Sequence, residues 1–442
     1  MIRAYHTGLL ALAAMALSTS VSLAQTEIAW WHAMGGELGQ KLEEIAQGFN
    51  ASQSDYVVTP VFKGTYPETL TAAIAAFRAG QQPAIVQVFE VGTGTMMAAQ
   101  GAVYPVHQLM ADQGEPWNPE GFLAPVTGYY ADPQGNILSM PFNSSTPIMY
   151  YNKDVFEKAG LDRDVAPRTW AEVESFSRQI MESGAATCGF TTGWISWVQL
   201  ENFSALHDQP YGTLQNGFGG VGAEFTFNGA AQAKHWENLK TWQDEGLFQY
   251  GGPVGGNDAP PKFYSQECAI YMNSSASRAG VINNAKEFEV GFAPLPFYDD
   301  VIAEPKNSII GGATLWVLNG RADAEYAGAA KFFTYLSSTQ VQADWHQFTG
   351  YLPITNATFD LGQQQGYYDA NPGSAVAIEQ ITRGTPSDNS KGLRFGNLTQ
   401  VRDVIDQEFE ALLAGQKSAQ EALDAAVARG NEILREFEAA NS

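Results

Sequence analysis

The sequence predicts an α/β protein, and three observations carry that expectation. Segments with strand character alternate with segments of helical spacing from residue 27 onwards. Residues 84–89 form a nearly continuous apolar run, as expected of a strand buried on both faces of a parallel or mixed sheet. The chain of 442 residues is long enough for two cores at ~100–200 residues per domain.

A leader precedes the first element. Met1-Ile2-Arg3 is a short basic start, residues 9–17 are apolar, and Ser22-Leu23-Ala24 offers the small residues a signal peptidase needs. Cleavage after Ala24 is expected, leaving Gln25 first. The apolar run is too short for a bilayer, and no other segment holds about twenty uncharged apolar residues, so an exported, soluble chain is expected. No cysteine adjoins the cleavage site, which argues against a lipid anchor.

Residues 27–31 read as a strand, and 36–49 carry helical spacing through Leu38, Leu42, Ile45 and Phe49. Residues 56–61 alternate as a strand does, and 67–78 are an Ala-rich helix. Amphipathic helices are expected at 170–183 and 230–245, with strands at 269–273 and 289–293. Residues 251–261, GGPVGGNDAPP, read as a loop to which no function is assigned. Asn397 and Gln400 resemble a capping box ahead of Val401, Val404, Ile405, Phe409 and Leu412. Ser418 and Glu421 open a last helix in the same way.

Composition narrows the function classes. Formal net charge is −23, and loss of the leader removes Arg3 and no acid. That balance opposes nucleic acid and anionic membranes as partners, and leaves local donors to supply affinity for any anionic ligand. The two cysteines, Cys188 and Cys268, fit either a structural disulfide in an oxidising compartment or two separate buried thiols. No G-x-S-x-G, H-E-x-x-H or Walker A motif occurs, and no two histidines stand at metal-ligand spacing. Gly92-Thr93-Gly94 follows a strand, but Met97 stands where a dinucleotide fingerprint needs glycine. No catalytic residue, metal or cofactor is therefore expected.

Recognition residues remain. In PFNSSTPIMYYNKDVF (141–156), Ser144, Ser145 and Thr146 interrupt two apolar runs, suiting either an ordinary turn or a crossing beside a cleft. Trp194 and Trp197 stand three apart, on one face if helical, as core residues or as stacking surfaces for a ligand. Gly311-Gly312 follows a strand-like run and serves either a tight turn or close approach of N–H groups to an anion. Arg402 near a helix start opposes the dipole unless solvated or paired with an anion.

These residues lie in longer motifs. WHAMGGELG (31–39), FKGTY (62–66), QVFEVGTGTMM (87–97), PFNSSTP (141–147) and GWISWVQLENFSA (193–205) resemble the periplasmic sn-glycerol-3-phosphate-binding proteins of ABC transporters. So do IIGGATLWV (309–317), WHQFTGYLPIT (345–355), KGLRFGN (391–397) and VARGNEILREF (427–437). The motifs are in order and span nearly the whole chain after the leader.

The resemblance implies a two-lobed, maltose-binding-protein-like fold of type II that closes on ligand, with no enzymatic step. It places lobe 1 at 25–143 with 297–345 and lobe 2 at 147–292 with 351–442, joined by crossings at 144–146, 293–296 and 346–350. Matching motif to motif, it implies ligand contacts from Tyr66, Glu90, Ser145, Trp194, Trp197, Ser274, Gly312, Tyr351 and Arg402. Ser275 is the alternative to Ser274, because Tyr271-Met272-Asn273 departs from the expected small hydroxylated residues. Arg402 would take the phosphate, Glu90 the glycerol hydroxyls, and the tryptophans the carbon skeleton. Implied partners are sn-glycerol 3-phosphate or glycerophosphocholine and the inner-membrane permease subunits, with the protein a monomer in the periplasm. An oligosaccharide-binding protein of the same fold, or a secreted glycerophosphodiester hydrolase, would be the other readings.

Overall fold

The computed structural model describes residue 1 and residues 25–99, 101–253 and 255–441. The expected leader lies outside these described residues. Among them no helix is long and apolar enough to cross a membrane.

Among the described residues eleven strands divide between two mixed sheets. In the first, β1 (Thr26–His32) lies parallel to β2 (Tyr56–Phe62) and β3 (Ile85–Phe89). β4 (Val103–Tyr104) and β5 (Met140–Ser145) reach this sheet through β11 (Gly311–Leu318), which runs antiparallel to β3, β4 and β5. The second sheet has the order β10, β6, β9, β7, β8, from Val290–Ala293, Pro147–Asn152, Cys268–Ser274, Cys188–Thr192 and Phe248–Tyr250. β6 is antiparallel to β9 and β10, while β7 is parallel to β8 and β9. Every residue of β3, β5 and β6 is buried, which is why β3 and most of β6 read as apolar runs rather than alternating ones, while β5 ends in buried Asn143, Ser144 and Ser145.

Helices cover the sheets where spacing placed them. Gly36–Ser52 buries Leu42, Ile45 and Phe49, and Tyr66–Arg78 opens on a Thr65/Glu68 capping box. Ser418 caps Ala419–Ala440 by the same reciprocal bonds. The box expected at Asn397 does not form. Asn397 is left-handed at φ +50°, makes no side-chain cap, and donates its N–H to Thr95 Oγ1 at 3.1 Å. Close packing overrides local chemistry there, since a Cβ on neighbouring Gly396 would lie 2.0 Å from the Phe437 ring.

The chain passes between the sheets at Thr146, one residue after β5 ends and one before β6 begins. Thr146 Oγ1 meets Ser308 Oγ at 2.6 Å and ties this passage to the next one. That next passage comes later than 293–296. Phe297 exchanges backbone bonds with Arg168 and Trp170 at 3.2 and 3.0 Å, and Lys306 donates to Leu206 O at 2.9 Å. Residues 297–306 therefore stay with the second sheet until about residue 307. Beyond residue 350, Leu352 N–H donates to Ser144 O at 2.7 Å and Leu123 N–H to Ile354 O at 2.9 Å, so the third return also comes later. Hydrogen bonds to neighbouring segments, which no local pattern records, set these positions.

Cys188 and Cys268 are register partners on β7 and β9 and form a disulfide 80 residues apart in sequence. They sit at the strand ends opposite Thr192 and Ser274, the latter bordering a cavity between the sheets. A Cys188→Ser/Cys268→Ser double variant is expected to lose roughly 2–5 kcal/mol of stability in denaturant titration. Its ligand affinity should be unchanged.

Candidate ligand cleft

A cavity of about 470 Å³ lies between the two sheets. This is within the ~300–1,000 Å³ typical of small-molecule sites. Tyr66, Glu90, Ser145, Trp194, Trp197, Ser274, Gly312, Tyr351 and Arg402 all line it. These residues are up to 336 positions apart, between Tyr66 and Arg402, so the fold rather than the chain brings them together.

Arg402 projects from helix Leu398–Leu413 and is 6 % exposed. Its Nε donates to Glu201 Oε1 and its Nη2 to Glu201 Oε2, both at 2.7 Å. Nη2 also donates to Glu90 Oε1 at 2.7 Å. The anion that the sequence left open beside Arg402 is thus supplied by the protein twice over. Glu90 was expected on ligand hydroxyls, and its carboxylate instead bonds the guanidinium. Both carboxylates thus engage Nε and Nη2, and neither bonds Nη1. Burial opposes the Arg402 charge, but both carboxylates outweigh that and hold it protonated. Burial pushes the Glu90 carboxyl above the usual carboxylate range, against the pull of Arg402 and with that of Glu201.

Glu201 is the residue that sequence reasoning missed. It is 2 % exposed and ends the π-helical turn Trp197–Glu201. The available signal was a single acid in the otherwise uncharged run 193–206. The tryptophans would share a face only if helical, and the backbone at Trp194 is not helical. Trp194 precedes the turn with φ +51°, a strained value for an aromatic residue, while Trp197 starts it. Both still border the cavity. Of the segment read as a loop at 251–261, residues 259–261 instead begin the helix Ala259–Tyr264; Gly255, beside Trp194, and Asn257 and Pro260 line the cavity.

The neutral donors are held in a chain. Gln87 Nε2 donates to Asn143 Oδ1 at 2.9 Å, and Asn143 Nδ2 donates to the Tyr66 hydroxyl at 3.0 Å. Tyr66 stacks on Phe89 with ring centroids 5.3 Å apart, and its hydroxyl faces that of Tyr351. Burial raises the pKa of both phenols, so they remain protonated donors. Ser274 Oγ accepts from Ala276 N–H at 3.1 Å and keeps its own proton for another acceptor. Ser274, not Ser275, borders the cavity.

Both glycines of the Gly311-Gly312 pair are demanded by packing. A Cβ on Gly311 would lie 2.2 Å from Trp197 Cζ2. Gly312 has φ +89°, and its Cβ would lie 1.9 Å from Asn143 O. The bare backbone lets β11 approach β5 and Trp197 closely. Among the described residues no group of three or more His, Cys, Asp or Glu could hold a metal ion.

Comparison with known proteins gives consistent results. Residues 44–372 match the family described as bacterial extracellular solute-binding protein. The chain is 46 % identical over 411 residues to the sn-glycerol-3-phosphate-binding periplasmic protein UgpB of Rhizobium meliloti, covering 93 % of this chain and 94 % of that one. It is 45 % identical to UgpB of Salmonella paratyphi A over the full length of both. Among solved structures, UgpB from Mycobacterium tuberculosis in complex with glycerophosphocholine superposes with a TM-score of 0.78 at 20 % identity, covering 94 % and 99 % of the two chains. Maltose-bound MalE3 from T. maritima gives 0.75 at 18 %, covering 91 % and 98 %. These last two likenesses establish the maltose-binding-protein-like, two-lobed fold.

Proposed function

Since this chain belongs to the bacterial extracellular solute-binding protein family, we propose that it captures sn-glycerol 3-phosphate and glycerophosphodiesters such as glycerophosphocholine in the periplasm. It hands them unchanged to the inner-membrane permease of an ABC importer. The observation that carries this reading is a buried guanidinium, Arg402, on a cavity wall with neutral hydroxyl donors and two tryptophans. Relatives about 45 % identical over nearly their whole length carry the glycerol-3-phosphate name.

In this reading the phosphate meets the Nη1 edge of Arg402. The Tyr351, Ser145 and Ser274 hydroxyls and the Gly312 N–H complete its shell. Trp194 and Trp197 cover the carbon skeleton or the trimethylammonium group. The ligand touches residues held by both sheets, and such bridging contacts favour a closed arrangement because only differential affinity shifts such an equilibrium. Two carboxylates beside the single guanidinium favour a zwitterion over a dianion, so glycerophosphocholine should bind at least as tightly as glycerol 3-phosphate.

Calorimetric titration with glycerol 3-phosphate, glycerophosphocholine and maltose side by side tests this. Binding of the phosphate ligands, recovered chemically unchanged, with no heat from maltose is the expected result. Maltose binding alone would replace the phosphate reading by an oligosaccharide one on the same fold.

A further inference from the structure

Glu201 is buried, ionisable and assigned no role by the capture mechanism above. We propose that Glu201 is the positioning residue of the site, clamping Arg402 in one orientation and, with Glu90, setting the charge that selects among phosphate esters. The inference rests on the reading that the ligand phosphate meets Arg402.

The geometry separates the two carboxylates. Glu201 holds the guanidinium at two points, through Nε and Nη2. Glu90 holds it at one, through Nη2. A two-point pair fixes the guanidinium plane as well as its position, so Nη1 is aimed by Glu201. With both carboxylates ionised, the trio carries one net negative charge at the cavity wall. Among the described residues the phenols Tyr66, Tyr129, Tyr130 and Tyr351 also face Glu90, all kept neutral by burial. No second cation offsets the pair among these groups.

A phosphate monoester brings two negative charges towards that wall, whereas glycerophosphocholine brings one and a compensating ammonium. Entry of the monoester is accommodated at Glu90, whose single bond to Arg402 is the one that can be given up. Burial already favours its protonated form. The Glu201 clamp stays intact in both complexes. Selectivity between the esters therefore comes from the fixed charge of Glu201 as much as from cavity shape.

Glu201→Gln removes that charge with little change in volume. By calorimetry at pH 7, the ratio of glycerol 3-phosphate to glycerophosphocholine affinity should shift towards the monoester by roughly tenfold. A residue with a merely structural part would weaken both ligands alike. An unchanged ratio in a folded variant would therefore overturn the proposal. Glu201→Asp keeps the charge but shortens the reach, and should weaken both ligands while holding the wild-type ratio.

Should Glu201→Gln not fold, the wild-type protein still decides. Glycerophosphocholine should outbind glycerophosphoglycerol, the same diester without the cation, and equal affinities would overturn the charge argument. Failure of both phosphate ligands to bind wild-type protein would overturn the phosphate reading as well, and so is distinguishable from failure of the Glu201 role alone.

Discussion

Replacing Arg402 by alanine is expected to abolish measurable capture of a phosphate ligand and to lower folding stability at the same time. The binding loss follows from removing the buried cation on the cavity wall. Truncating one partner of a buried, hydrogen-bonded charge pair costs about 2–5 kcal/mol, or roughly thirty- to several-thousandfold in affinity. The stability loss follows from the partners left behind. Glu201 and Glu90 are 2 % and 5 % exposed, and both would lose their counter-charge. Breaking a buried pair in this way typically costs about 3–5 kcal/mol.

Arg402→Lys separates the two effects. The ammonium keeps the charge and much of the stability, but lacks the planar fork that serves Glu201 and an incoming phosphate together. Calorimetry for affinity and urea denaturation for stability check both variants. Full affinity in Arg402→Ala would remove the phosphate role, and unaltered stability would mean that the carboxylates do not depend on it.

The second large effect is expected from Gly312→Ala. The left-handed φ of +89° disfavours any side chain, but the contact is worse than the angle. The new Cβ would lie 1.9 Å from Asn143 O and 2.9 Å from Asn143 C. Those are backbone atoms of β5, so the strand itself must move. Gly312 pairs with Ser144, and Gly311 with Ser145, at the end of the β5–β11 ladder. Asn143 also orders the Tyr66 hydroxyl. Displacing β5 therefore disturbs Ser145, Tyr66 and the passage at Thr146 together. A loss above about 2 kcal/mol in stability is expected, with loss of ligand binding.

Gly80→Ala is the control. Gly80 also has positive φ, +68°, but its Cβ would meet nothing within 4 Å. It should lose about 1–2 kcal/mol from the left-handed backbone alone and bind normally. Equal behaviour of the two variants would show that backbone strain, not strand approach, is what Gly312 relieves.

Much of the architecture was legible because it is local. The 84–89 run and the spacing of 36–49, 170–183 and 230–245 fix strands and helices through burial of their own side chains. Ser418 forms its capping box because cap and partner lie three residues apart in an exposed turn. Asn397 fails to do so because Thr95 and Phe437, distant in sequence, decide its backbone. The left-handed Trp194 departs from helical spacing for a similar reason, held against Gly255 and Gly256 from another loop.

The sequence by itself determined the α/β class and a set of candidate recognition residues carried in long motifs. These rest on periodicity, composition and motif order, which act within a few residues or are read directly. Only the tertiary structure decided which of those residues share a cavity, where residues 297–306 belong, and that Glu201 exists as a partner of Arg402. Charge pairing over 201 positions, between Glu201 and Arg402, leaves no local pattern. A buried carboxylate is written in the same letter as a solvated one, and only the surrounding fold separates them.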